Sequence, residues 1–204
     1  MAGSPPDGGH AVIAGHYGFA AAVKAGAPVA PLWALMLATT LPDLALIPLV
    51  AAGVESIDEA AGTSGYGSTL VDAEYSHSLA GAAALAGAFG LAAAVRWGTR
   101  VGAILAAVVA SHWLFDLVTH RPDLAVLPGN VGDLPLLGMG LWRVPVASGL
   151  AELALVVGGA TFYWWAARRA VRSAGAATTR TADRLGALVL VAGLVTLGAD
   201  VVAG

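Results

Sequence analysis

Six stretches, near residues 10–26, 28–54, 77–97, 99–119, 145–167 and 184–203, are almost wholly apolar, and runs of that length leave little choice of fold. About 20 apolar residues in helical form match the hydrocarbon thickness of a bilayer, and only helices or closed barrels satisfy their backbone polar groups there. Strand-period alternation is absent while Ala, Leu, Val and Gly dominate, so the runs predict helices whose small residues let neighbours approach closely. The expectation is an all-α, polytopic membrane protein of five or six transmembrane helices, forming a single domain over residues 1–204. Hydrophobic residues at 58%, charged residues at 11% and a mean hydropathy of +0.78 place the chain outside the soluble class, and nucleic acid is not an expected partner. There is no cysteine, so any metal must be held by histidine and carboxylate.

The first segment is the shortest and carries His10 and His16; "MAGSPPDGGH" lacks the positive n-region of a signal peptide, so this segment is expected to belong to the mature fold. In the second, Pro42 and Pro48 should kink or break the helix, freeing carbonyls that only a protein-lined cavity tolerates at depth. Lys24, Arg96, Arg100, Arg168, Arg169, Arg172, Arg180 and Arg184 fall at one set of segment ends and only Arg121 and Arg143 at the other, which puts the first set in the cytoplasm. The 55–76 connection, rich in Gly, Ser and acid, is expected to be mobile and solvated. Residues 129–144 should lie along the outer interface or cover a cavity there.

With that topology all five histidines, His10, His16, His77, His112 and His120, share the external half of the membrane, together with Asp43, Asp116 and Glu152. Each has a plainer reading. Ser76 would be a helix N-cap beside His77, Asp43 would hydrogen-bond backbone freed by Pro42, and Glu152 would be polar glue between helices. Asp200 would meet water near the C-terminus, and most tryptophans would sit at the interfaces. The stretch "SHWLFDLVTHRPDL" (111–124) resists such readings, because positions 112, 116 and 120 advance only about 40° per step and form one stripe. A His and an Asp one turn apart can bind the same cation. Pro122 disfavours helix at Arg121 and leaves Arg121 and Asp123 at the mouth of that stripe.

At these residues the chain resembles the YdjM-like membrane-bound metal-dependent hydrolases of bacteria and archaea. The resemblance rests on His10 and His16, on Pro42-Asp43, on His77-Ser78, on the run from His112 to Leu124 and on "GMGLW" at 138–142. The order of His and Asp is more distantly similar to the zinc-dependent phospholipase C and P1-nuclease group, whose N-terminal tryptophan ligand has no counterpart here. Carried over, the resemblance implies His16, Asp43, His77, His112 and Asp116 as metal ligands, with His10, His120 and Glu152 as further candidates. It implies one or two divalent ions, zinc by preference, and a multi-pass protein of a prokaryotic cytoplasmic membrane with its site facing outside. A divalent ion in such a set lowers the pKa of bound water toward 7. Asp43 or Asp116 could then act as general base and Arg121 could hold a phosphate. The expected function is hydrolysis of a phosphoester or ester in a lipid-like substrate. A cation- or proton-coupled transporter and a metal-stabilised scaffold remain open alternatives, and the oligomeric state is not readable.

Overall fold

A computed structural model describes residues 14–59, 69–175 and 178–203. Among these the apolar runs form seven helices: α1 (Ala14–Gly26), α2 (Leu32–Thr39), α3 (Leu41–Ala51), α4 (Leu79–Trp97), α5 (Thr99–Thr119), α6 (Pro145–Ser173) and α7 (Arg180–Ala203). Helices α4 to α7 are each long and apolar enough to cross a membrane, and α2 with α3, bent by 48°, makes a fifth, broken span. The protein is therefore an all-α, polytopic membrane protein. Helix α1 has 13 described residues, fewer than a span needs, and residues 10–13 of the first apolar segment lie outside the described residues.

The break in the second segment falls at Thr40. Pro42 follows at the start of α3, where a missing N–H has no helical partner to lose, whereas Pro48 is accommodated inside α3. Gly98 turns α4 into α5 with φ of 87°, a conformation that side-chain-bearing residues rarely adopt. Small residues bring the helices together. A Cβ on Gly159 of α6 would run into the carbonyl of Gly18 in α1, and one on Gly102 of α5 would meet the carbonyl of Gly90 in α4. The principal apolar core, between α1, α2, α4 and α5, is built largely of alanines around Leu35, Leu105 and Val109.

Two expectations are corrected, and two of the six tryptophans depart from the interface positions expected of most of them. The 55–76 connection is not simply a solvated loop, since Ser56–Glu59 pairs antiparallel with Thr69–Asp72. Glu55 beside it is buried, and its carboxylate accepts the backbone N–H groups of Tyr75 at 2.7 Å and Ser76 at 2.8 Å, which offsets its desolvation. Asp200 is also buried, although it lies near the C-terminal end of α7. Trp113 and Trp142 are buried as well, in contrast to Trp33 and Trp165, which are 61% and 54% exposed.

Residues 129–144 pack on the end of a helix, and nothing among these contacts distinguishes the two roles expected of them. The segment folds back over the C-terminal end of α5, where Leu124 and Leu137 form a β-bridge. The N–H groups of Met139 and Gly140 donate to the carbonyls of Leu117 at 2.8 Å and His120 at 2.6 Å, satisfying acceptors that a helix end leaves without partners.

Candidate metal centre

Five of the expected ligands meet at one end of the bundle: His16 from α1, Asp43 from the first turn of α3, His77 just before α4, and His112 and Asp116 from α5. They form two triads, His16–His112–Asp116 and Asp43–His77–His112, and in each the potential ligand atoms lie within 4.8 Å of one another. The one-turn spacing of 112 and 116 is intrinsic to α5. The other three come from elements far off in the chain: His16 from α1, packed closely on α6, Asp43 from the helix after the break at Thr40, and His77 from the turn whose N–H groups Glu55 holds.

Two of the three imidazoles, His112 and His77, are held from behind. The Nδ1–H of His112 donates to the carbonyl of Thr39 at 2.6 Å, at the break in the second segment. A carbonyl only accepts, so Nδ1 carries the proton and Nε2 is left to face the carboxylates. The hydroxyl of that same Thr39 donates to the carbonyl of His16 at 3.3 Å, so one fully buried residue ties α1 and α5 together at the site. Nδ1 of His77 lies 2.8 Å from the Ser76 hydroxyl, which leaves its Nε2 toward Asp43. Ser76 is thus not the N-cap; Ser78 takes that place, accepting the N–H of Gly81 at 3.0 Å.

The resulting polygon has the dimensions of a coordination shell. His77 Nε2 to Asp43 Oδ1 is 3.3 Å, His112 Nε2 to Asp43 Oδ1 is 3.6 Å, His112 Nε2 to Asp116 Oδ2 is 3.1 Å, and His16 Nε2 to Asp116 Oδ1 is 3.6 Å. Ligands about 2.0–2.1 Å from a tetrahedral ion are separated by roughly 3.3 Å. With Nδ1 protonated, a neutral His112 presents a lone pair to the lone pairs of Asp116 Oδ2, an arrangement that needs either a proton or a cation between them. Asp43 Oδ2, Asp116 Oδ2 and Nδ1 of His16 are buried with no hydrogen-bond partner among the described residues. Two carboxylates with neutral imidazoles carry two negative charges, which one divalent ion balances. The donor set and its spacing therefore fit a divalent metal.

The remaining candidates are placed differently. His120 is not in either triad. Its Nδ1 lies 3.1 Å from Asp123 Oδ1, its ring packs on Trp142 at 4.1 Å between centroids, and it lies 6.3 Å from the ring of His77. Glu152 is buried on α6 and accepts the N–H of Gly15 at 3.3 Å, so it ties α6 to α1 behind His16. Arg121 follows α5 directly and is half-buried, beneath the 137–140 segment, where a Cβ on Gly138 would strike its carbonyl. His10 lies outside the described residues.

A cavity of about 240 Å³ opens beside the cluster between α1, α5 and α6, lined by His16, Phe115, Thr119, Leu141, Glu152 and Leu155. Its walls are mainly apolar. Sequence reading passed over Thr39, whose contribution is a backbone carbonyl, and over Glu55, which acts on the turn before His77 from 20 residues away. The only signal for Thr39 was its place just before the Leu-Pro-Asp break. Comparison of the chain with protein-family models, with curated proteins and with solved structures finds no match.

Proposed function

We propose that the protein is a membrane-embedded, metal-dependent hydrolase that cleaves a phosphoester or ester in a lipid-like substrate, the activity expected from its resemblance to YdjM-like hydrolases. The observation that carries the reading is the pair of His/Asp triads sharing Nε2 of His112, beside an apolar cavity that reaches His16. Zinc suits this ligand chemistry. Because Nδ1 of His112 is committed to Thr39, its single remaining nitrogen would serve one ion, held by ligands drawn from the two triads, with a position that water or substrate could take. The chemistry such an ion supplies is a water acidified toward neutrality and charge neutralisation at a substrate oxygen.

The protein's own groups do the rest. One carboxylate completes the triad, and the other stays near His112 Nε2, at 3.6 Å for Asp43 or 3.1 Å for Asp116, placed to accept a proton from the attacking water. His120, held through Nδ1 by Asp123, lies beside the cluster, its ring 6.3 Å from that of His77. Phe115, Leu141 and Leu155 exclude bulk water and offer an apolar chain a seat next to His16. The bias of basic residues toward the opposite helix ends supports a site at the outer face of a cytoplasmic membrane.

The test is mass spectrometry of lipid extracts incubated with purified, zinc-loaded protein and with its Asp116→Ala variant. Metal-dependent loss of a lipid ester or phosphoester, abolished in the variant, is the expected result. Tight zinc binding without turnover of lipid or soluble esters would instead identify the ion as a structural clamp.

A further inference from the structure

The far end of α6 carries a second concave site that hydrolysis does not use. A groove of about 500 Å³ runs along one face of this helix, lined by Thr161, Trp164, Trp165, Arg168, Arg169 and Arg172. The spacing of these residues keeps them on one side of a helix, and the stretch from 161 to 172 is about 16 Å long. We propose that this groove binds an anionic phospholipid of the leaflet at the basic end of the bundle, with the phosphate at the arginines and an acyl chain along Trp165 and Thr161. The proposal is independent of the hydrolase reading.

Three features carry it. First, the guanidinium groups are held in place. Arg168 Nε pairs with Asp183 Oδ1 at 3.0 Å, and Asp183 is itself fixed by Trp164 Nε1 and Thr179 Oγ1, each at 2.9 Å. Arg169 lies over the Trp165 ring at 5.4 Å. Preorganised guanidinium groups lose little freedom on gripping a phosphate and can do so with paired hydrogen bonds.

Second, the charge is unbalanced: three arginines line the groove against the one carboxylate of Asp183, leaving two positive charges for an anion. Third, the wall changes character along its length. Arginine marks the helix end and tryptophan the interfacial depth, and beyond them the exposed rings of Phe162 and Trp165 stack at 6.0 Å within a membrane-spanning helix. A soluble phosphate would use only the first part of this surface, whereas a phospholipid uses all of it. The topological bias of basic residues explains their end of the bundle but not their convergence on one groove. Arg96 and Arg100 have the same bias and lie outside it.

The experiment is a native mass-spectrometric titration of the detergent-solubilised full chain with phosphatidylglycerol, phosphatidylcholine and glycerol phosphate. It uses the wild type, Arg169→Ala/Arg172→Ala, the single variant Arg172→Glu, and Arg96→Ala/Arg100→Ala as a charge-matched control. Arg168 is left intact because it pairs with Asp183. The expected result is selective retention of phosphatidylglycerol by the wild type and the control. Its affinity should fall roughly thirtyfold in the groove double variant, the effect of removing two interfacial basic charges, and should also fall in Arg172→Glu. Equal losses in the control and the groove variants would reduce the effect to general charge and overturn the proposal. Binding of glycerol phosphate as tight as that of the lipid, or equal retention of phosphatidylcholine, would overturn it as well.

Discussion

Replacing Gly159 by leucine should unload the metal centre without touching a ligand. Gly159 lies on α6 against Gly18 of α1, and the Cβ of any larger residue would fall well inside contact distance of the Gly18 carbonyl. Non-bonded heavy atoms in contact sit about 3.5–4.0 Å apart, so the two helices must separate by more than an ångström to admit even the first added carbon. Overpacking of this kind costs about 1–3 kcal/mol of stability. The consequence for the site follows from α1, which carries His16 one turn from its described start and is further tied to α6 by the Gly15 N–H to Glu152 bond. Metal–ligand distances tolerate only about 0.2 Å, so a shift near 1 Å removes His16 from the coordination shell. Zinc affinity should fall by about 10–100-fold, the range seen when the support of a ligand is lost.

Gly158, the adjacent residue, is the control: a Cβ there meets nothing within 4 Å, so Gly158→Leu should leave stability within about 0.5 kcal/mol of wild type. The assays are thermal unfolding in detergent and elemental analysis after dialysis against graded chelator. If Gly159→Leu keeps wild-type zinc occupancy across that series, α1 does not position a ligand and the four-element account of the site fails.

The ligands themselves give a sharper loss. His112→Ala and Asp116→Ala should each abolish stoichiometric zinc and the rise in melting temperature that zinc confers, while exposed Asp133→Ala changes neither; elemental analysis and melting curves measure both. Ser76→Ala removes the partner of His77 Nδ1 and should weaken zinc about tenfold while leaving all five candidate ligand side chains in place, as a competition titration would show. For topology, cysteines at Gly65 and Gly175 of this cysteine-free chain should be labelled by an impermeant thiol reagent from opposite sides of sealed vesicles; labelling of both from one side would contradict the charge-based orientation.

Reading along the chain was sufficient wherever the physics is local. The apolar runs at α4, α5, α6 and α7 specify spanning helices, because a backbone in hydrocarbon has no other open structure available. The weak point of the second segment was legible at Pro42. The pairing of His112 with Asp116 is likewise fixed by a helical turn, and it was visible without any knowledge of neighbours. Departures came where a long-range partner decides. Glu55 reads as a loop acid until the N–H groups of Tyr75 and Ser76 converge on it. Trp142 reads as an interface anchor until the 129–144 segment folds over α5 and packs it, tilted, against His120. Ser76 and Ser78 cannot be told apart as caps until the helix start is known.

The sequence by itself determined that this chain is a helical membrane protein, that its basic residues gather at one set of helix ends, and that its histidines and several acids gather at the other. Length, hydropathy and charge order suffice for that, since they fix how deep each residue lies along its own helix. Only the tertiary structure decided which of those residues meet. Depth says nothing about the rotation of a helix about its axis or about the distance to its neighbour. Those are set by contacts between residues far apart in the chain: Gly18 against Gly159, and the Thr39 carbonyl against His112. These contacts bring His16 and Asp43 to the His112–Asp116 pair, the turn held by Glu55 brings His77 there, and His120 and Glu152 are left beside the cluster.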